Sequence, residues 1–428
     1  MRLDPDRPDL RGAVARLADG PDRAADAFEP SQAAAGRAAA SYDVSGYART
    51  RGHIDGAVSK LNPYVTWGVF TLRELQDVVQ RGRPVLDADL RTFLDELGWK
   101  AFFREAFRAL GGRVYRSLEP IKAERNPELP GAPDGALDAA TGLGCIDAIA
   151  HELIETGYLH NYARLGYASW WVHVAGHDWR PGEAFFYRHL LDGEPGPNAL
   201  SWQWVASTFS GKPFVTNAAG LARAGLPGCE GTALDAPREA LVARYGNGHV
   251  SRPREQPHAR PGPMLPRLLR EGSPRAAVLL HGERLSLRAR ALAERPDAPA
   301  IVALDARRLT RERPAAPRLR FALGLAADLA RRLREEGRAV RLLVAEDEDE
   351  IAAAAAELGA DGVQAPDSWH PGTWRTLERL DARLPVAVRP EAPFAEVKGS
   401  LRSFSAYWKR AREQVRSRAP RPPSGQGA

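Results

Sequence analysis

The sequence predicts a mainly α-helical domain followed by a C-terminal α/β domain with a parallel, Rossmann-like five-stranded sheet. Three observations carry this prediction. From Tyr42 to about Leu221 apolar residues recur three and four apart, the period of helices buried on one side. Between about Cys229 and Ser273 the chain turns rich in Pro, Gly and Arg, as connections do. Beyond it short apolar runs alternate with helix-length amphipathic segments, which implies a parallel sheet with covering helices.

Residues 1–40 mix Asp, Arg and Ala without a steady apolar face and read as a leader, ragged-helical or partly disordered. Residues 41–228 form the helical domain. Within it Phe93, Leu94, Leu97, Ala101 and Phe102 share one helical face, Ile146, Ile149, Leu153 and Ile154 repeat the pattern, and Gly157 is a stop signal. Residues 229–274 read as a Pro/Arg-rich linker. In the α/β domain, residues 275–395, Ala276–His281, Ala300–Leu304, Val340–Ala345, Gly362–Ala365 and Pro385–Arg389 read as buried strands. Helices are expected near 287–295, 316–336, 348–358 and 372–383, and residues 396–428 form a basic segment with a flexible end.

At 428 residues with 44% hydrophobic content the chain is too long for one ordinary core. No run of about 18 apolar residues exists and the first twenty residues are too charged for a signal peptide, so a cytoplasmic protein is expected. Two cysteines, Cys145 and Cys229, are too few for a disulfide framework or a thiolate metal site. The net charge of +6 allows a polyanionic partner, but the signal is modest and compositional bias toward Arg is the better account of the residue choice.

Val58-Ser59-Lys60-Leu61-Asn62-Pro63-Tyr64 reads as a loop entering a helix, with Asn62 as N-cap and Pro63 at the first helical position. Free N–H groups there, beside a hydroxyl and a Lys, suit a diphosphate, although an ordinary capped helix has the same spelling. Glu96-Leu97-Gly98-Trp99-Lys100 sets a carboxyl group and an indole three residues apart on a helix, where both could meet one ligand. Next come Thr141-Gly142, Cys145-Ile146-Asp147-Ala148, and Thr156-Gly157-Tyr158-Leu159-His160-Asn161-Tyr162-Ala163-Arg164. Asp178-Trp179-Arg180, Asp192-Gly193-Glu194, Asn198 and Trp202-Gln203-Trp204 complete the series. His160 has no second His or carboxylate at metal-ligand spacing, so no metal is expected.

In order and spacing these motifs resemble the flavin-binding core of the DNA photolyase and cryptochrome family. The resemblance implies FAD as cofactor, with Tyr47, Ser59, Lys60, Leu61 and Asn62 at its diphosphate. Lys100, Tyr158, Asn161, Arg164, Asp192, Glu194 and Asn198 would surround the rest. Arg164 would pair with Asp192 near the flavin ring, and Asn198 would lie opposite flavin N5. Glu96, Trp99, Asn161 and Trp204 would serve a pyrimidine dimer. Trp202 and Trp179 match the first two members of an electron relay. The usual third Trp is absent, so a Tyr or Trp170/Trp171 completes another route, or the relay is short. Lys100 stands for an Arg, Tyr158 for a Trp, Tyr162 for an Arg near DNA and Glu194 for an Asp.

Ala277-Val278-Leu279-Leu280-His281-Gly282-Glu283 resembles the first strand of the family's α/β antenna domain, and Phe404-Ser405-Ala406-Tyr407-Trp408 the stretch that follows that domain. In the usual order this half comes first, which implies a circular permutation or domain-order swap. The first loop lacks the family's Arg-x-Asp-Leu-Arg spelling, so a second antenna chromophore is unknown. The implied function is light-driven repair of pyrimidine dimers in single- or double-stranded DNA by electron transfer from reduced FAD, by a monomer with no membrane partner. The alternative is a cryptochrome-like blue-light photoreceptor, and a third reading is a nucleic-acid-binding protein that has lost its flavin.

Overall fold

The computed structural model describes residues 1–4, 8–19, 28–81, 87–122, 129–245, 258–259 and 266–418. Its N-terminal half is helical: α1 (Leu10–Leu17), α2 (Gln32–Ser41), α3 (Asn62–Thr66), α4 (Leu72–Val79), α5 (Ala88–Leu110), α6 (Gly144–Thr156), α7 (Asn161–Ser169), α8 (Trp179–His189) and α9 (Pro195–Val205). Local signals set the boundaries. Asp87 caps the start of α5 by accepting from Leu90 N, and Thr71 with Glu74 forms a capping box on α4. Gly157 ends α6 at φ +67°, as its place in the sequence implies. After α7 the helix widens into a π-helical turn over Trp170–Val174.

The C-terminal half carries strands β2 (Ala277–His281), β3 (Ala300–Asp305), β4 (Val340–Ala345), β5 (Val363–Pro366) and β6 (Val386–Arg389), all parallel, within one residue of the expected spans. Helices α10 (Ala306–Glu312), α11 (Ala316–Glu335), α12 (Glu348–Glu357) and α13 (Pro371–Asp381) cover it, and α14 (Phe404–Arg416) follows. The expected five-stranded sheet has a sixth strand. Residues Arg2–Leu3 form β1, antiparallel to β4, with Arg2 opposite Leu343 and Leu3 opposite Leu342, giving the order β1-β4-β3-β2-β5-β6. A two-residue strand has no periodicity to read, and Leu3 is held by burial. The expected leader thus contributes a strand and the helix α1, which packs on α11.

One face of the sheet, with Val278, Leu280, Val302, Leu342 and Val344, packs on α11 in a core continuous with that of the helical half. The other, with Leu279, Ile301, Leu343, Val363 and Val386, is covered by Ile351 of α12 and Trp374, Leu377 and Leu380 of α13. The halves dock closely. Gly68 has φ +70°, and a Cβ there would strike the Glu283 carbonyl. Arg284, almost wholly buried, crosses the junction to Glu74 at 2.7 Å, Glu391 at 2.9 Å and Gly68 O at 3.1 Å. Cys145 and Cys229 are disulfide-bonded with Cα atoms 5.4 Å apart, so one bridge exists where the cysteine count promised no framework. Part of the expected linker, 246–257 and 260–265, lies outside the described residues, as does the flexible end 419–428.

Candidate functional site: the charged cluster around Asp192 and Glu194

The loop Leu190–Glu194, between α8 and α9, is where the predicted residues converge. Asp192 accepts from Arg164 Nη2 at 3.0 and 2.9 Å and from Asn62 Nδ2 at 2.5 Å. The expected Arg164–Asp192 pair is therefore formed. Asn62 is the first residue of α3 rather than its N-cap, because its amide reaches Asp192 instead of turning back on its own helix; Leu61 takes the cap position. Glu194 is wholly buried and receives Lys100 Nζ at 2.6 Å, Arg104 at 2.7 and 2.8 Å, and Thr66 Oγ1 at 2.9 Å. Burial pushes its carboxyl group up, but Arg104 and Lys100 outweigh that and hold it at about 2. Burial in turn lowers the Lys100 ammonium against the pull of Glu194.

On α9 the Asn198 amide donates to the Glu183 carboxyl group at 2.7 Å and to its backbone carbonyl at 2.9 Å. Burial raises Glu183 to about 7, with Asn198 and Arg318 opposing. Tyr158, raised by burial to about 12, lies with its ring 5.9 Å from the Arg164 guanidinium and 6.0 Å from Lys60 Nζ. Ser59 Oγ accepts from Leu61 N at 3.3 Å, and Lys60 is held at φ 52°, which turns this segment sharply before α3. Tyr47 is buried against Phe93, ring centroids 5.5 Å apart, and burial raises its phenol. Asn161 begins α7 beside the N-cap His160 and is exposed.

The residues assigned to a dimer have different partners. Glu96 faces Arg51 at 3.4 Å. Trp99 turns toward α14, where Phe404 stacks on it with centroids 3.7 Å apart and planes 14° apart, while Phe103 lies 5.5 Å away. Trp204 packs against Phe214 at 5.4 Å. Trp202 meets Trp171 at 6.0 Å, and Trp171 meets Trp170 at 6.4 Å. Trp179, fully buried, donates from Nε1 to Ser117 Oγ at 3.0 Å.

Sequence reasoning missed Arg104, Thr66 and Glu183. The signals were present: Arg104 follows Lys100 by four on α5, and Glu183 falls on the buried stripe of Trp179, Gly182 and Phe186, where an ionisable group is out of place. Among the described residues no group of three or more His, Cys, Asp or Glu could hold a metal.

Comparison with known proteins bears on this same stretch. Residues 93–217 match the FAD binding domain of DNA photolyase. This segment is similar to the photolyase and cryptochrome family. A deoxyribodipyrimidine photo-lyase of Synechococcus sp. is 31% identical over 163 residues, 36% of this chain and 33% of that one. A cryptochrome DASH of Natronomonas pharaonis is 32% identical over 199 residues, 43% of this chain and 41% of that one. The chain thus spans well under half the length of these relatives. A bacterial class III photolyase from Agrobacterium tumefaciens superposes on 47% of this chain and 43% of its own, with 23% identity and a TM-score of 0.39.

The donor set around Asp192 fits FAD: a hydroxyl and a Lys ahead of α3 for phosphates, Arg–carboxylate pairs, and a buried amide on α9 for the ring. The carboxyl ends of the sheet do not fit a second chromophore. There Glu283 is filled in by Arg308, by Thr373 Oγ1 at 2.6 Å and by His281 Nδ1 at 3.2 Å, leaving a cavity of about 40 Å³. A space of that size holds a water molecule or so, far below the roughly 300–1,000 Å³ of ligand sites.

Proposed function

We propose that this protein binds FAD at the charged cluster around Asp192 and uses blue or near-ultraviolet light to split pyrimidine dimers in DNA by electron transfer. The observation that carries the reading is the charge set of the cluster. Lys100 and Arg104 both face the buried carboxylate of Glu194 and Arg164 faces Asp192, so three cationic side chains gather at two carboxylates. Bound there, FAD supplies a light-absorbing electron donor. The chain's own residues favour the negatively charged form of such a group, orient it through Asn198, and keep a proton at Glu183 near neutral pH. Ser59, Lys60 and Asn62 hold the diphosphate, Tyr158 the remainder, and Trp202 with Trp171 passes electrons inward. A dimer would reach the cluster extrahelically, gripped through its phosphates by Arg side chains, in single- or double-stranded DNA. A cytoplasmic monomer suffices for this chemistry.

The decisive experiment is purification with FAD followed by illumination with dimer-containing single- and double-stranded DNA. Loss of dimers is expected, and dimers that persist with fully reduced flavin defeat the repair reading. The second reading, a photoreceptor that binds FAD without repair, is favoured by Phe404, which occupies the face of Trp99 that a base would need. The Phe404→Ala variant separates the two: a repair enzyme retains or gains dimer binding when that face opens, whereas a photoreceptor binds no dimer in either form.

A further inference from the structure

Arg318 lies near the start of α11, in the α/β half, yet its guanidinium is buried in the helical half. One Nη donates to Gly193 O at 3.0 Å and the other to Tyr187 O, and the group stacks over the Tyr187 ring at 4.2 Å. Gly193 is the residue between Asp192 and Glu194, and a Cβ on it would strike the guanidinium. Tyr187 is in the last turn of α8, whose terminal carbonyls lack partners within the helix. The adjoining carbonyl of Arg188 is taken by Ala315 N at 2.9 Å, just ahead of α11. One cation therefore ends α8 and fixes the loop carrying both carboxylates of the cluster, and it comes from the opposite half of the molecule.

We infer that Arg318 is a positioning residue for the flavin site, so that the α/β half completes the FAD pocket by holding Asp192 and Glu194 in place; this rests on the FAD reading above. The guanidinium fork spans two carbonyls that a single ammonium cannot reach together. The test is titration of apoprotein with FAD, followed by flavin fluorescence and by the fine structure of the flavin absorption band. Arg318→Ala is expected to weaken FAD binding about tenfold or more, the loss of a charged hydrogen-bonding group, and to alter the band, with Arg318→Lys in between. Asp19→Ala is the control, because Asp19 braces the same joint through Arg188 and Arg313, both at 2.9 Å, without touching the loop. It is expected to lower the melting temperature while leaving FAD affinity and the band unchanged.

Wild-type affinity in Arg318→Ala, or an equal loss of affinity in Asp19→Ala at the same melting temperature, overturns the inference. If Arg318→Ala does not fold, Arg318→Lys carries the same comparison. A wild-type chain that takes up no FAD overturns the FAD reading and this inference with it, whereas uptake that ignores Arg318 overturns the inference alone.

Discussion

Glu183 shows how burial turns one carboxyl group into a pH-dependent element. Its protonation midpoint is about 7 in the folded protein against a usual Glu value near 4.3, so the folded state binds the proton more tightly. Stability from this group is fully present below the unfolded value and is lost as pH rises toward and through 7. Glu183→Gln, which keeps the acceptor for Asn198, removes that loss. In urea titrations of apoprotein at pH 5 and pH 8, the variant should fall less than wild type, by roughly 3 kcal/mol. Trp171 is the second test at this scale. If electrons enter through Trp202 and its neighbour Trp171, then Trp171→Phe slows photoreduction of bound flavin more than Trp179→Phe does, measured by transient absorption. The legible residues were those whose partners are set by a motif. Arg164 and Asp192 follow a spaced pattern, whereas the stacking of Phe404 on Trp99 joins residues some three hundred positions apart and leaves no local trace.

Among elements, the five parallel strands were readable because they are buried on both faces and so are mostly apolar runs bounded by turn residues. Helix α10 was not, since Ala306–Glu312 carries four charged residues in seven and follows β3 without a break. The contact of α5 with α14 depends on a missing side chain. A Cβ on Gly98 would lie 2.5 Å from the Trp408 ring, whose Nε1 donates to Asp95 at 2.9 Å. Ala normally stabilises a helix interior over Gly by about 1 kcal/mol, and overpacking costs about 1–3 kcal/mol. The wedge of a buried indole decides the sign, so Gly98→Ala should lower stability by about 1 kcal/mol in chemical denaturation. A gain would mean that α14 yields easily.

At the scale of the molecule, the two halves share a core and are joined by Arg284, Arg318 and the Gly68–Glu283 approach. One cooperative unfolding transition is expected by both fluorescence and far-ultraviolet circular dichroism, with Gly68→Ala moving the single midpoint down. Two separated transitions would show that the halves fold independently. The sequence announced both halves but not their joint, because charged residues such as Arg284 and Arg318 look like surface positions until a second element covers them. The ring column that begins at Trp99 and Phe404 continues through Trp408 to Phe394, with each successive pair of planes within 14°, and so runs from the helical half to the segment after the last strand. Near-parallel rings at these separations couple their electronic transitions. The Trp99–Phe404 stack should therefore add to the assembled protein a near-ultraviolet optical activity that is lost when the two halves part, an intrinsic reporter of docking that needs no label.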